Sequence, residues 1–132
     1  MNLQLSLKRK WFEMTKTRIK PEDYREINLY WIRRFVDFSN YPKEDKDDHK
    51  GLAENFLFDI NNGHCLEDCL KGYFAKIKSF SANTMTLGYP KSGDTERILK
   101  LEHKGIEIRE GNPDWGAEPG KLYFVIKHGA II

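Results

Sequence analysis

The hydrophobic pattern at the start of the chain changes period after residue 7. Apolar residues alternate with polar ones at positions 3, 5 and 7, which is typical of an amphipathic strand. Over residues 8–17 the apolar positions follow a helical spacing instead, with Leu7, Trp11 and Met14 in one stripe and charged residues around them. The pattern therefore predicts a strand followed by a short helix, with Trp11 facing the core rather than a ligand.

Four further segments are predicted to be strands, over residues 22–27, 84–87, 97–109 and 121–127. The third is interpreted as one bent pass, with Gly105 at the bend. The last contains the run LYFVI, which is apolar enough for a central strand.

Three more helices are predicted between these strands. Asn28 is placed to cap the first of them. Its inward residues are Trp31, Ile32 and Phe35, and its outward residues are Tyr30, Arg33, Arg34 and Asp37. On the outward face, Arg33 and Asp37 have the i,i+4 spacing of an ion pair. Residues 52–60 fit both a helix and a strand, of which the helix is preferred, and a short helix follows that Gly72 can end.

The run KEDKDDHK, residues 43–50, has no apolar position and no period. It predicts a solvated loop, to which no chemistry is assigned.

Cations, carboxylates and aromatic residues are densest over residues 16–34, KTRIKPEDYREINLYWIRR, which we call the signature stretch. Pro21 ends the first helix and leaves Lys20 at a turn. The strand that follows has a period of two, so Asp23 and Arg25 share one face while the residues at 22, 24 and 26 share the other. Two interpretations remain open: the acid and the base pair across a surface strand, or they face a cleft where charges must be paired or used.

The residues of this stretch resemble the lysine, glutamate and arginine signature of ASCH domains. The matching residues are Lys20, Asp23, Tyr24, Arg25 and Glu26, followed by Tyr30, Trp31 and Arg34. Further matches are the opening run LQLSLKRKWFEM, the run TMTLGYP at 84–90 and the C-terminal run LEHKGIEIREGNPDWGAEPGKLYFVIKHG. The chain looks most similar to the ASCH-domain proteins of bacteria and their phages.

The resemblance implies an α+β fold of the PUA-like class, a mixed β-barrel flanked by short helices. We expect the five predicted strands to form this one mixed barrel. It also implies a single domain over residues 1–132, with a helical insertion at about 40–80, and a cleft lined by the signature lysine and arginine. Two positions depart from the signature. Arg18 stands where the family has glycine, so the helix end lacks the residue that enters a left-handed cap without strain, and Asp23 stands where glutamate or threonine is common.

The chain has 132 residues and a mass of 15.5 kDa, enough for one domain to bury a core without a metal or a disulfide. Its net charge of +2 is unevenly spread, because residues 1–34 hold nine Lys or Arg against four Asp or Glu, and residues 35–50 hold three against five. The basic end favours an anionic partner. No apolar run is long enough for a membrane span and no signal peptide is evident, so a cytoplasmic protein without membrane contact is expected.

Two cysteines, Cys65 and Cys69, lie four residues apart beside His64. A structural zinc site normally has four ligands, and the chain has no second pair of cysteines. Reduced thiols without a bound metal are therefore expected, and no cofactor is predicted.

The preferred function is a binding module for RNA, a nucleotide or a modified base. In this hypothesis Lys20, Arg25 and Arg34 contact phosphate, and Tyr24 or Trp115 stacks on a base. Trp115 lies in GNPDWGAEPG, a loop stiffened by proline, and a plug at one end of the barrel is the alternative for its ring. The sequence does not indicate an oligomeric state.

The alternative function is implied by the resemblance, because some ASCH proteins are N4-acetylcytidine amidohydrolases that use a lysine, a hydroxyl and a glutamate. Lys20 matches the lysine, Asp23 occupies the position of the hydroxyl, and Glu118 is the nearest candidate by position for the glutamate. A carboxylate beside Lys20 favours its charged form, which is the opposite of what a lysine base or nucleophile requires. Binding therefore ranks above hydrolysis of an acylated cytidine, and whether the protein is an enzyme stays open.

Overall fold

The structure, a computed structural model, describes residues 1–42 and 51–132. Its strands are β1 (Asn2–Leu7), β2 (Glu22–Arg25), β3 (Val36–Asp37), β4 (Lys76–Ile77), β5 (Ala82–Leu87), β6 (Ile98–Glu110) and β7 (Leu122–Ile131). Its helices are α1 (Arg9–Lys16), α2 (Leu29–Phe35), α3 (Leu52–Asn61) and α4 (Leu66–Gly72), with a short 3-10 helix at Pro113–Trp115. The predicted loop at 43–50 lies outside the described residues.

The described chain divides into two compact units. One, which we call the sheet unit, comprises Met1–Tyr24 and Ser79–Ile132. The other, the helical unit, comprises Arg25–Lys78. Each unit buries its own apolar residues, among them Leu5, Phe12 and Phe124 in the sheet unit and Ile32, Phe35 and Phe56 in the helical unit.

The five predicted strands lie in one mixed sheet, which curls into a half-barrel in an α+β fold. The strand order is β1-β5-β6-β7-β2, so β1 and β2 are the outer strands. β1 pairs with β5 in parallel, and β6 pairs antiparallel with both β5 and β7. The prediction of one mixed barrel is therefore confirmed in part: the five strands form one mixed sheet, and among the described residues that sheet forms half of a barrel.

β6 is one long strand that bends where the sequence predicted. Its register against β7 shifts between Leu101 and His103 and again between His103 and Ile106. Gly105 lies within the second shift with a φ of 115°, a backbone conformation that glycine adopts without strain. β7 lies between β6 and β2, and its residues Tyr123 to Ile126 are buried in succession, as predicted for a central strand.

α1 forms as predicted, but it buries a different face. Phe12 and Thr15 are its buried residues, whereas Trp11 and Met14 are only partly buried, so the prediction that Trp11 faces the core is wrong. The Thr15 hydroxyl donates to the carbonyl of Trp11 at 2.7 Å, so it can be buried with its hydrogen bond satisfied. The apolar pattern did not predict this burial, because threonine is polar. The Trp11 ring lies between the core and the solvent, and the ammonium of Lys10 is 4.8 Å from its centroid.

α2 begins at the predicted cap, since Asn28 Oδ1 accepts from the amide of Trp31 at 3.0 Å. Ile32 and Phe35 are buried as predicted, and Trp31 is partly buried. Helical spacing offered Asp37 as one possible partner of Arg33, but Arg33 forms an ion pair with Glu54 of α3, with Nη2 2.6 Å from Oε1. Helical spacing does not encode a contact across 21 residues, so this partner was not predicted.

The predicted helices over residues 52–60 and 66–72 are confirmed as α3 and α4. α3 buries Leu52, Phe56 and Ile60, the residues at helical spacing. The two-stranded sheet of β3 and β4 was not predicted, because each strand has two residues and too little sequence to show a period.

Arg18 takes a left-handed backbone conformation, which glycine more commonly adopts at the end of a helix. Its φ is 69°. The amide of Ile19 donates to the carbonyl of Met14 at 3.0 Å, and the amide of Arg18 donates to the carbonyl of Thr15 at 3.2 Å. These two bonds form a Schellman motif, which closes α1 and turns the chain toward Lys20. The expected strain at this helix end is therefore present.

Arg18→Gly should stabilise the protein by roughly 0.5 to 1 kcal/mol. Relief of the left-handed backbone, about 1 to 2 kcal/mol, outweighs the greater freedom of glycine in the unfolded chain. Urea unfolding of both proteins measures the difference. Lys16→Gly is the matched control, because Lys16 ends α1 in a helical conformation and the same change there should destabilise by about 1 kcal/mol. A destabilised Arg18→Gly would contradict the assignment of strain.

Candidate functional site

Lys20 and Asp23 form a buried ion pair in the sheet unit. Lys20 is 3% exposed and Asp23 is 4% exposed. The distance from Lys20 Nζ to Asp23 Oδ1 is 3.1 Å. The Schellman turn positions Lys20, and strand β2, which starts at Glu22, positions the carboxylate of Asp23, three residues later in the chain. Each charge depends on the other, because a single buried charge without its partner costs several kcal/mol.

Two aromatic rings also lie close to the Lys20 ammonium. Its Nζ is 5.5 Å from the centroid of the Tyr24 ring and 6.0 Å from that of the Trp11 ring. Both distances are within the range of cation–π attraction. The structure thus brings Lys20, Asp23 and Tyr24 together, three of the residues that the sequence predicted for the site.

Tyr24 connects this cluster to a second buried carboxylate. The Tyr24 hydroxyl donates to Glu22 Oε2 at 2.6 Å and accepts from the amide of Asn112 at 2.9 Å. Burial raises the pKa of Tyr24 to about 12, with Glu22 adding to the shift, so the ring carries a neutral phenol. Glu22 is also bonded by Arg109, and the hydrogen bonds to Glu22 and Glu107 raise the pKa of the Arg109 guanidinium above its usual range.

The loop that carries Trp115 packs against the same two rings. A side chain at Gly111 would put its Cβ 2.9 Å from the Tyr24 ring, and one at Gly116 would put its Cβ 2.9 Å from the Trp11 indole. Glycine at these positions therefore allows a close approach of the loop. Trp115 is partly buried at the end of the 3-10 helix. This loop therefore packs against Tyr24 of the signature stretch and Trp11 of α1.

Glu118 lies on the exposed part of this loop. Its backbone amide donates to the hydroxyl of Tyr123 at 3.0 Å, and its side chain belongs to an exposed residue. The carboxylate that the structure links to Tyr24 is Glu22. The role of Glu118 as the third residue of a hydrolase stays a prediction.

The two predicted arginines belong to the helical unit, where both lie over one ring. The guanidinium carbon of Arg25 is 5.0 Å from the Trp31 centroid, and that of Arg34 is 5.3 Å from it. Arg34 also lies 5.9 Å from the Tyr30 centroid. Stacked guanidiniums keep hydrogen-bond donors at their edges, which suits them to phosphate.

A chain of three polar side chains in the sheet unit was missed by the sequence analysis. His103 Nδ1 lies 2.7 Å from Asn83 Oδ1, and Asn83 Nδ2 lies 2.7 Å from His128 Nδ1. Asn83 is fully buried in β5, and His103 pairs in register with His128 across β6 and β7. The sequence contains one indication of this chain, the polar Asn83 within strand β5. The partners of Asn83 depend on the register of the strands, which the hydrophobic pattern does not encode.

The hydrogen bonds of Asn83 determine which nitrogens of these rings carry hydrogen. Asn83 Nδ2 also donates to the carbonyl of Lys127 at 3.2 Å, which fixes the orientation of its amide. His128 Nδ1 is therefore an acceptor, and the hydrogen of a neutral His128 ring sits on Nε2. His103 Nδ1 in turn donates to Asn83 Oδ1.

His128 lies beside the segment that carries the ion pair. Its amide donates to the carbonyl of Pro21 at 3.0 Å, between Lys20 and Asp23 in the chain. Burial lowers the pKa of His128 to about 4; the Asp23 carboxylate opposes this shift and the Lys20 ammonium adds to it. Burial also lowers the pKa of His103. Both rings are therefore neutral at physiological pH.

The helical unit has a separate cleft of about 250 Å³ between α3 and α4. Its lining residues are Asp59, His64, Asp68, Cys69, Gly72 and Tyr73. Cys65 is exposed and Cys69 is buried, and both are free thiols. Among residues 1–42 and 51–132, no group of three or more His, Cys, Asp or Glu side chains is arranged to hold a metal ion.

No family model, no curated protein and no solved structure matched this chain. The resemblance to ASCH domains therefore depends on the residues quoted above. In the part of the chain that the structure describes, no helix is both long enough and apolar enough to cross a membrane.

Acidification should destabilise the fold by about 3 kcal/mol through His128 between about pH 7 and pH 4. The pKa of His128 is about 4 in the fold and 6.5 in an unfolded chain, so the unfolded state binds more protons in this window. Stability is therefore present above about pH 6.5 and is lost as the pH falls toward 4. Urea unfolding over this range measures the loss.

His128→Phe is the control for this measurement, because it removes the titrating ring nitrogens and keeps a planar ring. Between about pH 7 and pH 4 the variant should lose about 3 kcal/mol less of its unfolding free energy than the wild type does. Equal slopes in the two proteins would contradict a buried neutral His128.

Proposed function

We propose that the protein binds RNA, a nucleotide or a modified nucleoside, and that its half-barrel is a PUA-like ASCH domain. The observation that carries the binding proposal is the buried ion pair of Lys20 and Asp23, with the rings of Trp11 and Tyr24 beside it. Replacing such a pair by apolar residues is often neutral or stabilising, by about 1 to 4 kcal/mol. A buried pair is weak evidence for a role in stability, so we assign this one a role in ligand binding.

The pair offers a donor and an acceptor side by side, which is what the edge of a nucleobase needs. The Lys20 ammonium donates to base carbonyls or ring nitrogens, and the Asp23 carboxylate accepts from exocyclic amino groups. The partly exposed rings of Trp11 and Trp115 supply faces on which a base stacks. Single-stranded bases are recognised through this combination of stacking and edge contacts.

The charge distribution supports an anionic partner. Residues 1–34 hold nine Lys or Arg against four Asp or Glu. Lys20 is neutralised by Asp23, so among the predicted cations we assign phosphate contacts chiefly to Arg25 and Arg34 of the helical unit. Phosphate contacts by surface cations make affinity depend on salt.

Hydrolysis of an N4-acylated cytidine or a similar modified nucleoside is the second candidate function. The observation that favours it is the direct contact of Lys20 with Asp23 away from water, because a charge stabilises a developing oxyanion more strongly in a dry site. Asp23 would accept a proton from the water that attacks the acyl carbon. It would pass that proton to the cytidine nitrogen as the C–N bond breaks, which releases the acid and the free amino group and restores the carboxylate. Lys20 would stabilise the oxyanion as a cation rather than act as a base.

Trp115→Ala should weaken binding of a short single-stranded RNA by about 1 to 3 kcal/mol and leave the salt dependence of affinity nearly unchanged, because a stacking face is lost. Arg25→Ala should weaken binding and flatten the salt dependence, because a phosphate contact is lost. Fluorescence anisotropy at several salt concentrations measures both effects. N4-acetylcytidine is tested in parallel for binding and turnover.

Two exposed residues of the sheet unit provide matched controls. Tyr89→Ala removes an aromatic ring that is 96% exposed, and Arg97→Ala removes an exposed guanidinium paired with Asp94. Both controls should bind RNA as the wild type does. If Trp115→Ala and Arg25→Ala also bind as the wild type does but fail to turn over N4-acetylcytidine, the binding proposal is wrong and the hydrolase replaces it.

A further inference from the structure

The ring of His128 carries a buried hydrogen-bond donor without an acceptor. His128 is 9% exposed, and its Nε2 has no hydrogen-bond partner among the described residues. The opposite nitrogen, Nδ1, is engaged at 2.7 Å by Asn83. Buried donors without partners destabilise a fold and are therefore rare, and each one indicates strain, a bound water or a functional role.

The position of His128 favours a functional role. Its backbone amide bonds to the carbonyl of Pro21, which joins the turn of Lys20 to the strand of Asp23. The Asp23 carboxylate raises the pKa of the His128 ring, and the Lys20 ammonium lowers it. The backbone of His128 is thus hydrogen-bonded to the segment that carries the buried ion pair, and both charges of that pair influence its ring.

We propose that the Nε2–H of His128 is a ligand-binding group that donates a hydrogen bond to an uncharged acceptor, a carbonyl oxygen or a ring nitrogen, of the base bound beside Lys20 and Asp23. This inference rests on the proposed function and names a further residue of that site. Asn83 is a positioning residue, because its Nδ2 holds His128 Nδ1 as an acceptor and so keeps the hydrogen on Nε2.

A neutral donor at this position gives the site selectivity. Burial keeps the His128 ring uncharged, so it adds no second positive charge beside Lys20. A ligand with an acceptor at the matching position gains a hydrogen bond, whereas one with a donor or a methyl group there leaves Nε2 unsatisfied. Sites built to bond a ligand's polar group discriminate strongly against analogues that lack it.

The first test compares the ligand affinity of His128→Phe with that of the wild type. Cytidine monophosphate, N4-acetylcytidine and a short single-stranded RNA are titrated by calorimetry into each protein. The variant should bind the tightest of these probes about tenfold more weakly or worse, the effect of one lost hydrogen bond. His64→Phe, at an exposed histidine of the helical unit, is the matched control and should bind as the wild type does.

The second test needs no substitution at His128, so it does not depend on the folding of that variant. Nitrogen–proton correlation spectra of the histidine rings should show the Nε2–H form of His128 in the free protein. The Nε2 resonance should then shift on addition of the probe and saturate at the dissociation constant from calorimetry. In Asn83→Leu, which removes the donor to Nδ1, the ring should lose its pure Nε2–H form.

The outcomes separate this inference from the proposed function. A wild-type protein that binds none of the three probes contradicts the proposed function, and this inference falls with it. Wild-type binding that is unchanged in His128→Phe, or an Nε2 resonance that does not respond to the bound probe, contradicts this inference alone. Either of these last two results would indicate that the Nε2–H of His128 donates to a buried water, and the proposed binding function would remain.

Discussion

The buried contact between Lys20 and Asp23 is the constraint on which the candidate site depends. Taking two charges out of water costs several kcal/mol per ion, and their attraction offsets that cost only with good geometry and further polar partners. The surrounding chain provides this geometry. A Schellman turn places the lysine, strand β2 places the aspartate, and the rings of Trp11 and Tyr24 lie beside the ammonium. The strained Arg18 is part of this arrangement, because its left-handed backbone turns the chain toward Lys20.

Two hydrogen-bonded systems extend from this pair and serve different purposes. The Tyr24 hydroxyl joins Glu22 to the amide of Asn112, and so fastens the loop of Trp115 to the signature strand. The system of Asn83 instead orients the ring of His128 and leaves one donor of that ring unused within the described residues. In the Tyr24 system the buried polar groups have hydrogen-bond partners, whereas in the Asn83 system the Nε2 of His128 has none among the described residues. That difference is why we propose that the ligand also contacts His128.

The elements were predictable from the sequence because each depends on local periodicity and capping. The capping residue Asn28 predicted the start of α2, and Gly105 predicted the bend of β6. Errors arose where the outcome depends on packing between elements. The buried face of α1 is offset by one residue from the predicted stripe, since Thr15 satisfies its hydroxyl within the helix and can be buried. The proximity of Asn83 to His128 depends on strand register and on a contact 45 residues apart, which no local pattern encodes.

Whether the buried pair serves ligand binding rather than stability can be decided by comparing the double variant Lys20→Met/Asp23→Leu with Lys20→Met alone. Unfolding free energy and binding of the same short RNA are measured on each. The single variant should lose about 3 to 5 kcal/mol, because the buried Asp23 carboxylate loses its ion pair with Lys20, and the double variant should recover to the stability of the wild type or above it. Neither variant should bind RNA. A double variant as unstable as the single one, or one that binds RNA as the wild type does, would contradict the account.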